Sequence, residues 1–337
     1  MKSAGTRIAI VGTGSAVGDV VRGNDDPVFA YVTANPPPNH NIFAGLTNRR
    51  VLGPGQTVTS IGVAAAREAL SEAHIAAAEV DLLIGSATMG EYLAPSPLAA
   101  VHAQLGLPGT CRVMALNTEY APFLDGLKIA NDMITAGTIT CAVVVSASAW
   151  TSHMDYHEAV CVAASDGAGA AVVTRSTDPT HFSLVDWENQ TDTQYYGAFR
   201  MTPRPAAVPP FFTPSPTLFT APLMALDPVR GGPAVMNFGL PVPVAVVQRL
   251  LTRNGLTAQD VALVAHQTSK LTEDYWRTHI APAVYVSTLP DFADMVSATV
   301  AVNLATCRDQ ITPRHLVIMG IGMEMRATAL LYTRTTS

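Results

Sequence analysis

One unit occurs twice in this 337-residue chain, and it limits the possible folds more than any other feature. Its first copy is a helix over 59–73, a His74-Ile75 turn, and the apolar run Asp81-Leu82-Leu83-Ile84 leading into Ser86-Ala87-Thr88. Its second copy is a helix over 244–251, the helix end Asn254-Gly255-Leu256, and Asp260-Val261-Ala262-Leu263-Val264-Ala265 leading into His266-Gln267. In both, apolar residues at helical spacing give way to a buried run too short to be a helix, which reads as a strand. Such self-similarity predicts an internal duplication. Further buried runs at 141–146 and 165–173 alternate with helical patterns, so α/β layering is the expected architecture.

The composition suits that architecture: 48% of residues are hydrophobic and only 14% are charged, enough to bury a large core. The chain divides into an N-terminal half over 1–175, an irregular insertion over 176–235 and a C-terminal half over 236–337. In the insertion prolines cluster between Pro203 and Pro216 and aromatics such as Tyr195, Tyr196, Phe199, Phe211 and Phe212 are interleaved, a pattern expected to wall a substrate pocket or a subunit contact. A net charge of −6 argues against a nucleic-acid partner. The four cysteines, Cys111, Cys141, Cys161 and Cys307, stand singly without metal-ligand spacing and read as buried thiols of a reducing compartment. The apolar runs are too short for a membrane span, so the expected location is the cytoplasm. Arg7 to Val11 reads as a strand ending in Gly12-Thr13-Gly14, but no acidic residue follows where a dinucleotide's ribose would need one.

The stretch 116–137 is where chemistry is expected. Val113, Met114 and Leu116 lead into the bend Asn117-Thr118-Glu119, after which Phe123, Leu124, Leu127, Ala130, Met133 and Ile134 recur at helical spacing. Tyr120 therefore sits at a helix start, where unpaired backbone N–H groups favour negative charge. Glu119 beside it orients the turn, acts as a base, or stabilises the helix dipole. His153 and His157, near Asp155, have the spacing of metal ligands on a helix, but no third ligand is placed by motif and no metal is expected.

In its order of motifs the chain resembles the thiolase superfamily, specifically the type III ketoacyl-ACP synthases and the acyltransferases derived from them. The match is carried by GLTNRRVLGPG over 45–55, residues 81–88, Pro95-Ser96, Leu105-Gly106-Leu107, the turn at 117–123, SDGAGAAVV over 165–173, His266-Gln267 and Gly320-Ile321-Gly322-Met323. The resemblance implies a five-layered αβαβα fold built from two duplicated halves, a homodimer, and coenzyme A or acyl carrier protein phosphopantetheine as acyl donor with no bound cofactor. It also implies three catalytic positions: a cysteine that is acylated, a histidine that assists proton transfer, and an asparagine that stabilises an enolate. Here those positions hold Tyr120, His266 and Asp294, with Asp291 the alternative if the register is shifted. Arg49 and Arg50 are the expected contacts for the donor's phosphates. The loop carrying Glu91 is expected to reach a neighbouring active site in the dimer.

Two of the three positions depart from the pattern. An ionised carboxylate repels an enolate but can stabilise an imidazolium, so Asp294 beside His266 suits acyl transfer with His266 as general base. A phenol is a far weaker nucleophile than a thiolate, and its ring fills the space of the acyl group. The expected activity is transfer of a small acyl or aryl-acyl group from a thioester to a hydroxyl or amine of a secondary-metabolite intermediate. Decarboxylative condensation and an inactive partner subunit of a synthase are the alternatives.

Overall fold

A computed structural model describes residues 5–38, 41–90, 92, 94–203 and 222–335. Ten strands form its main sheet: β1 Arg7–Val17, β2 Leu82–Thr88, β3 Arg112–Ala115, β4 Cys141–Ala149, β5 Asp166–Ser176, β6 Phe182–Thr191, β7 Val261–Ala265, β8 Val284–Val286, β9 His315–Gly322 and β10 Arg326–Thr333. Six helices pack on it: α1 Val58–Ala73, α2 Leu98–Leu105, α3 Pro122–Thr135, α4 Pro241–Arg253, α5 Lys270–Ile280 and α6 Thr299–Thr306.

The strand order is β3-β2-β4-β5-β1, then β6-β10-β9-β7-β8. The second series repeats the first in mirror order, each strand matching the one five places later, so the duplication is visible in the topology itself. β1 and β6 join the two sheets through the short pairing of Ala9 with Ser183 and Ile10 with Phe182. Apolar side chains of α1 and α2 cover the outer face of the first sheet, and those of α4 and α5 cover the second. Between the sheets lie α3 and α6, with Phe123, Leu124, Leu127, Val300 and Leu304 fully or almost fully buried. The result is the expected five-layered αβαβα order.

Two segments differ from the sequence reading, each for a physical reason. Gly12 and Gly14 lie within β1, not in a turn, because a side chain there would collide with α1: a Cβ on either would fall 2.3 Å from a backbone carbonyl, of Ala69 or of Ala65. The segment 176–235 is also not irregular from its start, since β6 is the first strand of the second sheet. Its alternation escapes notice because Val185 and Trp187 are exposed apolar residues and the inward positions do not form an apolar run. Farther on, Phe199–Pro203 and Pro222–Leu226 pair as a hairpin. Phe211 and Phe212 lie outside the described residues, as does Glu91.

Residues 231–253 form one continuous helical run of 23 residues, long and apolar enough by composition to span a membrane. In the fold its C-terminal part, α4, packs Val244, Val246, Val247 and Leu250 against the second sheet. The prolines at 241 and 243, at the start of α4, hid this continuity from the sequence reading.

Candidate active site

The three expected catalytic residues arrive from three elements that meet at the centre of the layers. Tyr120 precedes α3 with φ +69°, a left-handed conformation that non-glycine residues seldom adopt and that aims the side chain out of the strand-to-helix turn. His266 follows β7, its amide N–H donating to Met319 O at 2.9 Å. Asp294 lies in the loop before α6, between Ala293 at φ +49° and Val296 at φ +50°. Gln267 braces that loop: its side-chain amide donates to Thr288 Oγ1 and to Ala293 O, and its carbonyl accepts from Thr288 N–H and the Asn303 amide. The His-Gln pair thus points two ways, His266 toward Tyr120 and Asp294 and Gln267 into the loop that carries Asp294. Asp291 is exposed on the adjacent short helix, and Asp294 is the carboxyl that lies beside His266.

His266 is fully buried and, among the described residues, neither ring nitrogen has a hydrogen-bond partner; Nε2 stands 3.7 Å from Asp294 Oδ1. The Tyr120 ring meets the imidazole edge-on, centroids 4.8 Å apart and planes at 88°. Burial drives all three groups toward their neutral forms. The imidazole is pushed down to about 3, the Asp294 carboxyl is pushed up to about 7 although Val296 N–H and Thr299 Oγ1 donate to it, and the phenol rises well above its ordinary value.

These residues abut an apolar cavity of about 170 Å³, lined by Tyr120 and Asp294 together with Trp150, Phe199, Phe238 and Met323. His266 is not in its wall, because Tyr120 covers the imidazole. The start of α3 is also occupied. The Tyr120 amide N–H donates to Ser297 Oγ at 3.0 Å, and Ser297 Oγ–H donates to the Glu119 carboxylate at 2.6 Å. Glu119, half-buried, is pushed up to about 7 by desolvation, against the Ser297 hydrogen bond and with help from nearby Glu324. Ser297 had no signal in the sequence: it is one small residue among several, and its partner Tyr120 lies 177 positions away.

The arginine pair separates. Arg49 is fully buried; its Nε donates to Val162 O, another guanidinium N–H donates to Asn24 Oδ1, and the Phe29 and Phe43 rings flank it. Desolvation lowers it to about 10, and a side chain held this way is a packing element, not a contact for a donor's phosphates. Arg50 is half-buried beside Phe292 and remains available for that role. His153 is bound to Ser152, while His157 is bound to Asp155 and packed on Tyr31, so neither occupies a helix face as a ligand pair. The SDG motif is structural: Asp166 accepts from Leu52 N–H, Thr151 N–H and Thr151 Oγ1.

Comparison with known proteins agrees with this architecture. A family model described as 3-oxoacyl-[acyl-carrier-protein (ACP)] synthase III matches residues 114–193, which include the Tyr120 turn. The β-ketoacyl-[acyl-carrier-protein] synthase III of Laribacter hongkongensis is 27% identical over 322 residues, covering 93% of this chain and 95% of that protein. The protein of the same name from Bordetella petrii is 31% identical over 183 residues, and the match spans little more than half of each chain, 53% of this one and 56% of that one. Among solved structures, the priming β-ketosynthase of the R1128 polyketide pathway superposes with a TM-score of 0.81 at 23% identity, covering 98% of this chain and 97% of that one. OleA from Xanthomonas campestris, solved with lauric acid and lauroyl-CoA, gives 0.83 at 16% identity, covering 97% and 99%. At such identities the structures speak for the fold, which is thiolase-like, and the family model and the curated relatives show the chain to be similar to proteins named 3-oxoacyl-ACP synthase III.

Proposed function

We propose that this site is that of an acyltransferase, which moves a small acyl or aryl-acyl group from a coenzyme A or acyl carrier protein thioester to a hydroxyl or amine of a secondary-metabolite intermediate, and that Tyr120 closes it. The observation that carries this reading is Asp294 at 3.7 Å from His266 Nε2 on the wall of the apolar cavity. Burial pushes the carboxyl up and the imidazole down, and at this distance an ionised Asp294 stabilises the imidazolium that forms when His266 takes a proton from an acceptor. A carboxylate serves acyl transfer this way; beside an enolate it would repel the charge that a decarboxylative condensation must stabilise. Tyr120 stands where the acylated residue would be, with a phenol too hard to ionise to act as a nucleophile. Arg50 is the proposed contact for the donor's phosphates. We place the protein in the cytoplasm as a homodimer, with the exposed edge strand β3 as the pairing edge.

A second reading, a non-acylated partner subunit, is favoured by one observation: the Tyr120 ring shuts His266 off from the cavity. The chemistry is tested on Tyr120→Cys protein that has been loaded with an acyl group and offered either a malonyl-carrier extender or simple alcohols and amines. Ester or amide formation without CO₂ release is expected. A carbon–carbon product with CO₂ release would replace acyl transfer by condensation.

A further inference from the structure

Ile10 and Phe182, which pair across the joint between the two sheets, line a cavity of about 90 Å³. Leu304 near the end of α6, Ile311 beyond it and Leu316 at the start of β9 complete an apolar lining. The place is remote from the chemistry above, since β9 gives its first residues to this cavity and its last, Ile321 and Gly322, to the cavity at Tyr120. It is also remote from β3, because β1 stands at the opposite end of the first sheet.

Two arginines, Arg308 and Arg334, join that apolar lining, and only one of them is compensated. Arg308 pairs with Glu72, whose carboxylate also accepts from the Thr13 N–H and Oγ1. The half-buried Arg334 guanidinium lies over the Phe182 ring, 4.8 Å from its centre, and Nη2 donates to the Ile311 and Thr312 carbonyls. Among the described residues no carboxylate pairs with it. Two further arginines crowd the same spot: Arg314 Nε donates to Arg334 O, and Arg7 Nη1 donates to Thr335 Oγ1. Neither has a carboxylate partner among the described residues. Burial and the neighbouring Arg308 charge hold Arg334 below its ordinary pKa. A chain with a net charge of −6 thus gathers three uncompensated guanidinium groups around one apolar hollow. Such repulsion is relieved by an anion, and an arginine laid flat on a ring offers its fork to a carboxylate.

We infer that this cavity binds a small organic carboxylate, its anionic end on Arg334 and its short apolar body against Ile10, Leu304 and Leu316. The apolar lining favours an organic acid over a bare oxyanion, whose every face needs a polar partner. The size sets the length of the body: a water takes about 10–15 Å³ of such space, so roughly six to nine non-hydrogen atoms fit. The inference is independent of the acyl-transfer reading.

The test is calorimetric titration of the full chain with butyrate, n-butanol and inorganic phosphate. Saturable binding of butyrate is expected, roughly ten- to a hundredfold tighter than butanol, which keeps the body and lacks the charge. Phosphate, which lacks the body, should bind more weakly than butyrate. Arg334→Met, which keeps an apolar stem on Phe182, should lose the preference for butyrate, whereas butyrate held in the cavity at Tyr120 would be unaffected by that change. If Arg334→Met does not fold, Arg334→Lys, which keeps a charge without the planar fork, should bind butyrate at least severalfold more weakly. No saturable butyrate binding, butanol as tight as butyrate, phosphate tighter than butyrate, or butyrate affinity undiminished in the folded Arg334 variant would overturn the inference.

Discussion

The duplication makes two strand ends equivalent, residues 86–88 at the end of β2 and residues 266–268 after β7, yet they serve different cavities. The β7 end places Thr268 on a small apolar cavity with His266 sealed behind Tyr120, whereas the β2 end gives Ser86 and Thr88 to a larger cavity of mixed polarity. Both central helices also begin from turns with left-handed residues, Tyr120 before α3 and Ala293 and Val296 before α6. One ancestral arrangement has therefore diverged in chemistry while keeping its backbone, and Ser297 and Tyr120 tie the two turns together by a hydrogen bond.

The halves differ first in how tightly their central helices are seated. A Cβ at Gly169 of β5 would lie 2.5 Å from backbone and side-chain carbon of Ala301 in α6, while one at Gly320 of β9 would lie 3.2 Å from the end of the Leu124 side chain in α3. Backbone cannot step aside as a leucine can. Gly169→Ala should therefore cost about 3 kcal/mol or more and Gly320→Ala about 1 kcal/mol, read from denaturant midpoints. Equal losses would mean that the two helices are seated alike.

The acid of the second half gives a smaller, pH-dependent effect. Asp294 titrates near 7 in the folded chain against an ordinary 3.8, so its protonated form favours folding and that contribution is lost as pH rises from about 4 to above 7. His266, lowered from 6.5 to about 3, acts in the opposite sense, destabilising the fold in acid and ceasing to do so above 6.5. Comparing Asp294→Asn with the parent isolates the carboxyl, since an amide still accepts from Val296 N–H. The variant's stability relative to the parent should grow by on the order of 2–4 kcal/mol between pH 4 and pH 8. A difference that does not change with pH would return Asp294 to an ordinary carboxyl.

Much of this was legible in the sequence where local periodicity carried it. The duplicated unit, the turn before α3 and His266 at a strand end follow from local patterns, whereas Asp294 was placed only through the family resemblance. β6 was missed because its exposed face carries Val185 and Trp187, so no alternation marks it. Arg49 was misread because a basic pair gives no hint that distant Phe29 and Phe43 enclose one of its members. Ser297 bonds to Tyr120 and Glu119 across the two halves, contacts that no local pattern encodes. Tyr120 was visible as an anomaly, but that its ring seals the histidine was not.

The closure at position 120 is tested most directly by intact-protein mass after incubation with a panel of acyl-CoA thioesters. Tyr120→Cys should gain one acyl mass, since a thiol at the start of α3 beside His266 is placed to ionise and attack, and the tyrosine chain should gain none. A covalent acyl group on the tyrosine chain, or none on the cysteine variant with any donor while it remains folded, would contradict the claim that this is an acyltransferase site closed by one side chain.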